Sequence, residues 1–412
     1  MPDQKSLRAY ARLVIEIGIA LERDQILVIN APIECAPFAR LLAEEAYGAG
    51  AHEVVMSWSD ERSAHIKYAL APQSVFTEFP EWKRAFYTDY AEQGAAFVSI
   101  AARDPEIFRD IAPQRLTLAQ QAAGAALLEY RSRLMNNENT WCVVSVPTVA
   151  WAQKVFPDAT AEEAEQRLWT AILHAVRIGE GDAVEAWREH IAFLHRAAAF
   201  LNAQDFARLH YTNALGTDLI VELPEGHLWA GGSEPSQTGV QFVANLPTEE
   251  VYTLPHREGV FGTVVATRPL VYQGSLIEGM RLRFDRGRVI AFSAERGEEK
   301  LRELLATDEG ACHLGEVALV PYDSPIRESG LLFYNTLFDE NAACHLAFGK
   351  AYPTCLRGGD ALESVELLQR GVNDSLLHED FMVGSRDLSI TGTRRADGSE
   401  VPVFIEGNFA PF

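Results

Sequence analysis

ILVIN (residues 26–30), CAPFARLLAEEAYGAGA (35–51) and HEVVMSW (52–58) together decide the fold. The first is a short continuous apolar run with the length of a buried strand. The second repeats its apolar residues at helical spacing and stops at glycine. The third reads as another strand. Strand, helix and strand over this length make a βαβ unit, whose two strands run parallel because a crossover separates them. AAFVSIA (95–101) and WCVVSVP (141–147) read as further strands of the same sheet. Ahead of it, Leu7, Tyr10, Ala11, Val14, Ile17 and Leu21 recur at helical spacing.

Two long helical patterns follow, AEEAEQRLWTAILHAVRIG (161–179) and AVEAWREHIAFLHRAAAFLN (183–202). The second carries His190 and His195. A zinc helix needs histidines four apart; these are five apart, about 140° round the helix, so both read as ordinary helix-surface or core histidines. From about residue 206 the texture changes to polar–apolar alternation with Gly, Asn and Asp at turns, which is antiparallel β character. A short helix over 297–306 interrupts it. The expected architecture is mixed α and β: an N-terminal α/β domain with a parallel sheet over 1–200, and a C-terminal α+β domain rich in antiparallel strands over 201–412.

A chain of 412 residues is too long for one ordinary core, which agrees with two domains. Its hydrophobic fraction of 48% and charged fraction of 23% are those of a soluble globular protein. The net charge of -22 argues against nucleic acid and anionic membrane surfaces as partners. Five cysteines, an odd number with no CxxC, argue against a disulfide framework and for a reducing, cytoplasmic setting. The N-terminus reads as an amphipathic helix and not as a signal peptide, and no apolar run is long enough to span a membrane.

Four stretches of the second half hold the residues suited to chemistry. NLPTEEVYTLPHR (245–257) frames Glu249 and Glu250 between prolines, so that one glutamate can be held pointing inward. EGACHLGEVALVPYDSPI (309–326) places Glu316 at the mouth of an apolar run. LFDENAACHLAFGKAYP (337–353) has Asp339, Glu340 or Asn341 where a short helix can begin and Gly349 where it can end, with His345 inside it and Tyr352 just beyond. SLLHEDFMVG (375–384) sets His378 two residues from Asp380, on one face if the segment is a strand. Read one at a time, these are solvated charges or core residues. Read together, two histidines and several carboxylates form an N/O ligand set suited to Zn²⁺, Mn²⁺, Co²⁺ or Fe²⁺.

In this order, the four stretches resemble the aminopeptidase T and aminopeptidase S family of metallopeptidases, and a weaker likeness through LLAEEAYGAGAHEVVMSW extends it over the N-terminal half. The resemblance implies a co-catalytic pair of divalent ions, zinc, cobalt, magnesium or manganese. It carries the family's metal-binding positions onto Glu250, Glu316, His345, His378 and Asp380, and its active-site tyrosine onto Tyr352. Glu340 is a further candidate contact. It also implies a homodimer enclosing a cavity for peptides with a free N-terminus. Peptide hydrolysis needs a base to accept the proton of the attacking water and a donor for the oxyanion, roles that suit Glu316 and Tyr352. The rival reading is a mononuclear Fe(II) oxygenase, with His345, His378 and one carboxylate such as Asp380 as a 2-His-1-carboxylate set.

Overall fold

The computed structural model describes residues 2–179, 181–272 and 275–412. Its first sheet has four parallel strands, β1 (Ile26–Pro32), β2 (Glu53–Ser59), β3 (Ala96–Ile100) and β4 (Trp141–Val144), in the order β2-β1-β3-β4. Helix α1 (Ala36–Ala49) is the first crossover; Pro37 lies in its first turn, and Gly50 closes it in the left-handed region at φ 99°. Leu27, Val28 and Ile29 are all fully buried. A parallel sheet is covered on both faces, so its inner strand is apolar throughout. The helical patterns of the mid-sequence become α2 (Ala161–Ala175) and α3 (Ala183–Gln204). A reciprocal Thr160–Glu163 capping box starts α2.

Two compact units divide the chain. The first comprises Met1–Glu189, Ser233–Pro247 and Leu332–Leu337; the second comprises His190–Gly232, Thr248–Leu331 and Phe338–Phe412. The second unit contains an eight-stranded antiparallel sheet built from strands between Phe206 and Phe409. It also contains a five-stranded antiparallel sheet: β5 (Ala230–Gly231), β6 (Val251–Thr253), β7 (Leu314–Leu319), β8 (His345–Gly349) and β9 (His378–Met382), in the order β9-β8-β7-β6-β5.

One hydrophobic core joins residues of both sheets, among them Phe206, Leu209, Leu282 and Ile390 from the larger and Val317, Leu346, Phe348 and Phe381 from the smaller. Since side chains alternate along a strand, the odd or even set that fills this core leaves its neighbours on the other face. On β7 these are Glu316 and Ala318; on β8, His345 and Ala347; on β9, His378 and Asp380. The apolar half of the pattern therefore aims the polar half at one surface.

One local expectation is corrected. His345 is not inside a helix. A one-turn helix (Thr336–Asp339) and a tight turn (Glu340–Ala342) end before it, Ala343 is extended at φ -166° and ψ 159°, and His345 opens β8. The cap-like residues do start a turn, but all five residues of β8 are buried, and a short run buried on both faces pairs as an inner strand. The five cysteines are free and buried, and no helix among the described residues is long and apolar enough to cross a membrane.

Candidate metal centre

Four strands of the smaller sheet deliver the polar side chains to one place. Glu250 directly precedes β6, Glu316 lies on β7, His345 on β8, and His378 and Asp380 on β9. His345 Nε2 lies 3.3 Å from Glu250 Oε2 and 3.7 Å from Glu316 Oε1. His378 Nε2 lies 3.2 Å from Glu316 Oε2 and 3.4 Å from Asp380 Oδ1. The residues thus form two triads able to hold a cation, Glu250–Glu316–His345 and Glu316–His378–Asp380, with the ligand atoms of each within 4.8 Å of one another. Glu316 belongs to both, one oxygen toward each histidine.

Both imidazoles are oriented from behind. His345 Nδ1–H donates to the Ala343 carbonyl at 3.1 Å, and His378 Nδ1–H donates to the Lys350 carbonyl at 2.7 Å. A carbonyl only accepts, so this bond fixes the tautomer and turns the Nε2 lone pair toward the carboxylates, the usual arrangement of a metal-ligating histidine. Asp380 Oδ1 is buried and makes no well-formed hydrogen bond. A buried carboxylate oxygen without a donor is costly, and a cation at this point relieves that cost. By its donor chemistry and by this orphaned oxygen, the cluster fits divalent ions.

The electrostatics agree. Without an ion, the Nε2 atoms carry protons in place of metal: burial works against charge at Glu316, yet hydrogen bonds from the protonated His345 and His378 outweigh it and hold the carboxyl down to about 2. Burial likewise opposes the charged form of both histidines, but the carboxylates push His378 up to about 11 and His345 well above its usual range. Glu250 is raised by burial, and Glu340 is raised by burial and by the charges of Asp380 and Glu250. Carboxylates gathered this closely favour a cation among them.

Tyr352 stands beside the second triad, its ring centroid 5.0 Å from that of His378. Burial, then the negative charges of Glu316 and Asp380, keep its phenol protonated. Among the described residues nothing hydrogen-bonds its hydroxyl, which is left as a donor. The two adjacent glutamates part company: Glu250 faces His345, whereas Glu249 lies 3.5 Å from His190 Nε2 on α3. His190 also donates to the Thr248 carbonyl at 2.9 Å, and Glu249 N–H donates to Asn341 Oδ1 at 2.7 Å. Sequence reading set His190 aside and gave Asn341 only a capping role; each follows charged neighbours, Arg188 and Glu189 or Asp339 and Glu340, and nothing local marks it.

Comparison with known proteins agrees with this geometry. The chain is 50% identical over 407 residues to aminopeptidase 2 of Geobacillus stearothermophilus, covering 99% of this chain and 98% of that one. It is 45% identical to aminopeptidase AmpS of Bacillus subtilis, covering 98% of each. The solved structure of wild-type AmpT from Thermus thermophilus superposes with a TM-score of 0.92 at 42% identity, covering 99% of this chain and 100% of that one. A 2,5-dihydroxypyridine dioxygenase from Pseudomonas putida KT2440 matches with a TM-score of 0.52 at 11% identity over 99% of this chain and 98% of that one, a likeness of fold alone. The family described as thermophilic metalloprotease (M29) matches residues 3–409, and the chain belongs to that family of peptide-bond hydrolases.

Proposed function

We propose that this protein is a metal-dependent aminopeptidase that removes the N-terminal residue of peptides, using two divalent ions (zinc, cobalt, magnesium or manganese) held by Glu250, Glu316, His345, His378 and Asp380. The observation that carries the reading is the shared glutamate: Glu316 completes both triads, one oxygen toward each histidine. Ions bound here supply Lewis acidity and lower the pKa of water. The remaining work belongs to the chain's own groups. Tyr352 O–H donates to the oxyanion that develops on the scissile carbonyl. Glu316, the base expected from sequence and ionised between the two histidines, is the carboxylate that takes the proton of the attacking water. The carboxylate-rich cluster attracts the substrate's α-ammonium, which an internal amide lacks, and this makes the enzyme an exopeptidase.

His345 and His378 fall in different triads and share only Glu316, which favours two ion sites over one mononuclear iron. Five free, buried thiols suit the reducing cytoplasm. The homodimer follows from the family resemblance. The deciding experiment strips the protein of metal, titrates back Co²⁺ or Zn²⁺ while counting bound ions, and follows hydrolysis of leucine p-nitroanilide. Activity should rise as occupancy approaches about two ions per chain. Full activity at one ion, or none on this substrate and a panel of dipeptides at two, overturns the proposal.

A further inference from the structure

Strand β9 carries two of the cluster's side chains and is also the end strand of its sheet. Its backbone bonds show which way each residue faces. Toward β8, the Leu377 carbonyl accepts Lys350 N–H at 2.7 Å and Val383 N–H donates to the Cys344 carbonyl at 2.8 Å. On the opposite side, the Met382 carbonyl accepts Thr267 N–H at 2.8 Å. In an antiparallel ladder, successive residues turn their N–H and C=O groups alternately to the two sides. Leu377, Glu379, Phe381 and Val383 therefore bond inward, and His378, Asp380 and Met382 face outward. Thr267 covers Met382. Among the described residues nothing hydrogen-bonds the backbone N–H or C=O of His378 or Asp380.

Open edges of this kind are templates for another strand, and folded proteins usually cover or blunt them. Among the described residues, the backbone groups left unbonded on this side belong to the same two residues whose side chains enter the second triad, with the strand Leu270–Tyr272 packed close to β9. We infer that the peptide substrate docks here as an added strand, its backbone exchanging hydrogen bonds with the N–H and C=O of Asp380, while its N-terminal residue reaches the side-chain cluster. The inference rests on the aminopeptidase reading and adds to it what holds the rest of the peptide. The occupant is an extended peptide with a free N-terminus. Main-chain pairing reads no side chain, so this edge tolerates varied sequences downstream of the scissile bond. It also imposes a period of two: in an added strand only every second substrate residue turns its N–H toward β9.

That period is the test, and it uses the metal-loaded, unmutated protein. The parent substrate is a pentapeptide of one leucine and four alanines. Each amide beyond the scissile one is replaced in turn by an ester, which removes the N–H with little change of shape; N-methyl versions provide a second series. kcat/KM should fall about tenfold or more at one position and stay near the parent value at the next. Leucine p-nitroanilide, with no downstream backbone, reports the cluster separately. If it and the parent peptide are cleaved but the scan is flat or falls uniformly, docking on this edge is wrong and the aminopeptidase reading stands. If neither is cleaved with ions bound, the aminopeptidase reading fails and takes this one with it.

Discussion

His345 and His378 are given the same local chemistry in different surroundings. Each donates Nδ1–H to a backbone carbonyl and presents Nε2 to two carboxylates, one of them on Glu316. But His345 sits on an inner strand with 1% of its side chain exposed, and His378 on the end strand with 23% exposed. A group sealed inside a sheet is held by its packing and cannot follow a substrate. A group on an open edge can be approached. In the proposed reading both halves hold an ion, the buried half does only that, and the edge half also meets the peptide; Tyr352 and the unbonded backbone groups of β9 lie on the latter side.

Glu316→Gln is the sharpest test of this division, because it strikes both halves at once. It should remove several kcal/mol of transition-state stabilisation, so turnover falls about 10³-fold or more, and bound metal should drop in both triads. Retained activity at full occupancy would show that Glu316 is not the shared ligand. The two histidines should then separate in stability. In the metal-stripped protein, His345→Ala leaves Glu250 and Glu316 without their buried partner and should cost about 3–5 kcal/mol. His378→Ala, at the partly open edge, should cost about 1 kcal/mol. Denaturant melts of the two variants check this, and equal losses would erase the distinction between the halves.

The sequence already held much of this, unevenly. The parallel sheet was readable because a buried βαβ unit is written as local apolar runs. The pairing of His378 with Asp380 followed from strand alternation alone. His345 was misplaced because a short apolar stretch after Asp339 and Asn341 carries a helix-start signal, and only the pairing of β8 with β7 and β9 decides otherwise. Alternation places Glu249 and Glu250 on opposite sides but cannot say which side is the cluster; that is settled by partners far along the chain. The same holds for the return of Ser233–Pro247 and Leu332–Leu337 to the first unit, for which local composition gives no cue.

Tyr352→Phe keeps the ring against His378 and removes only the donor. If the hydroxyl serves the oxyanion, kcat should fall about 10²-fold with little change in KM and none in melting temperature. An unchanged kcat would leave Tyr352 a packing residue. The charge balance of the metal-free cluster gives a smaller effect, seen in stability against pH. His378 is pushed up to about 11 from an ordinary 6.5: burial opposes the charge and the Asp380 and Glu316 carboxylates prevail. A folded-state value above the unfolded one gives stability that is full below about pH 6.5 and lost as pH rises toward the folded value. His345 and Glu250 are raised too, and so act in the same sense. The stripped protein should therefore melt at a lower temperature at pH 9 than at pH 6, while the metal-loaded protein changes less. A flat profile for the stripped protein would sink this account.

The smallest effect expected lies behind the buried half. His190 holds the Thr248 carbonyl and stands against Glu249, and Asn341 holds the Glu249 amide, so the two residues before Glu250 are pinned from outside the cluster. Neither His190 nor Asn341 belongs to either triad. Their effect on chemistry passes through the position of one ligand, which a bound ion can itself restore. His190→Ala should therefore weaken metal affinity about tenfold, as loss of a supporting hydrogen bond behind a ligand commonly does, yet leave kcat at saturating metal near that of the parent. His190→Gln, which keeps a donor, should recover most of the affinity. If His190→Ala lowers kcat at saturating metal without weakening binding, the histidine acts on the reaction directly, and the buried half is not the passive ion holder that its exposure implies.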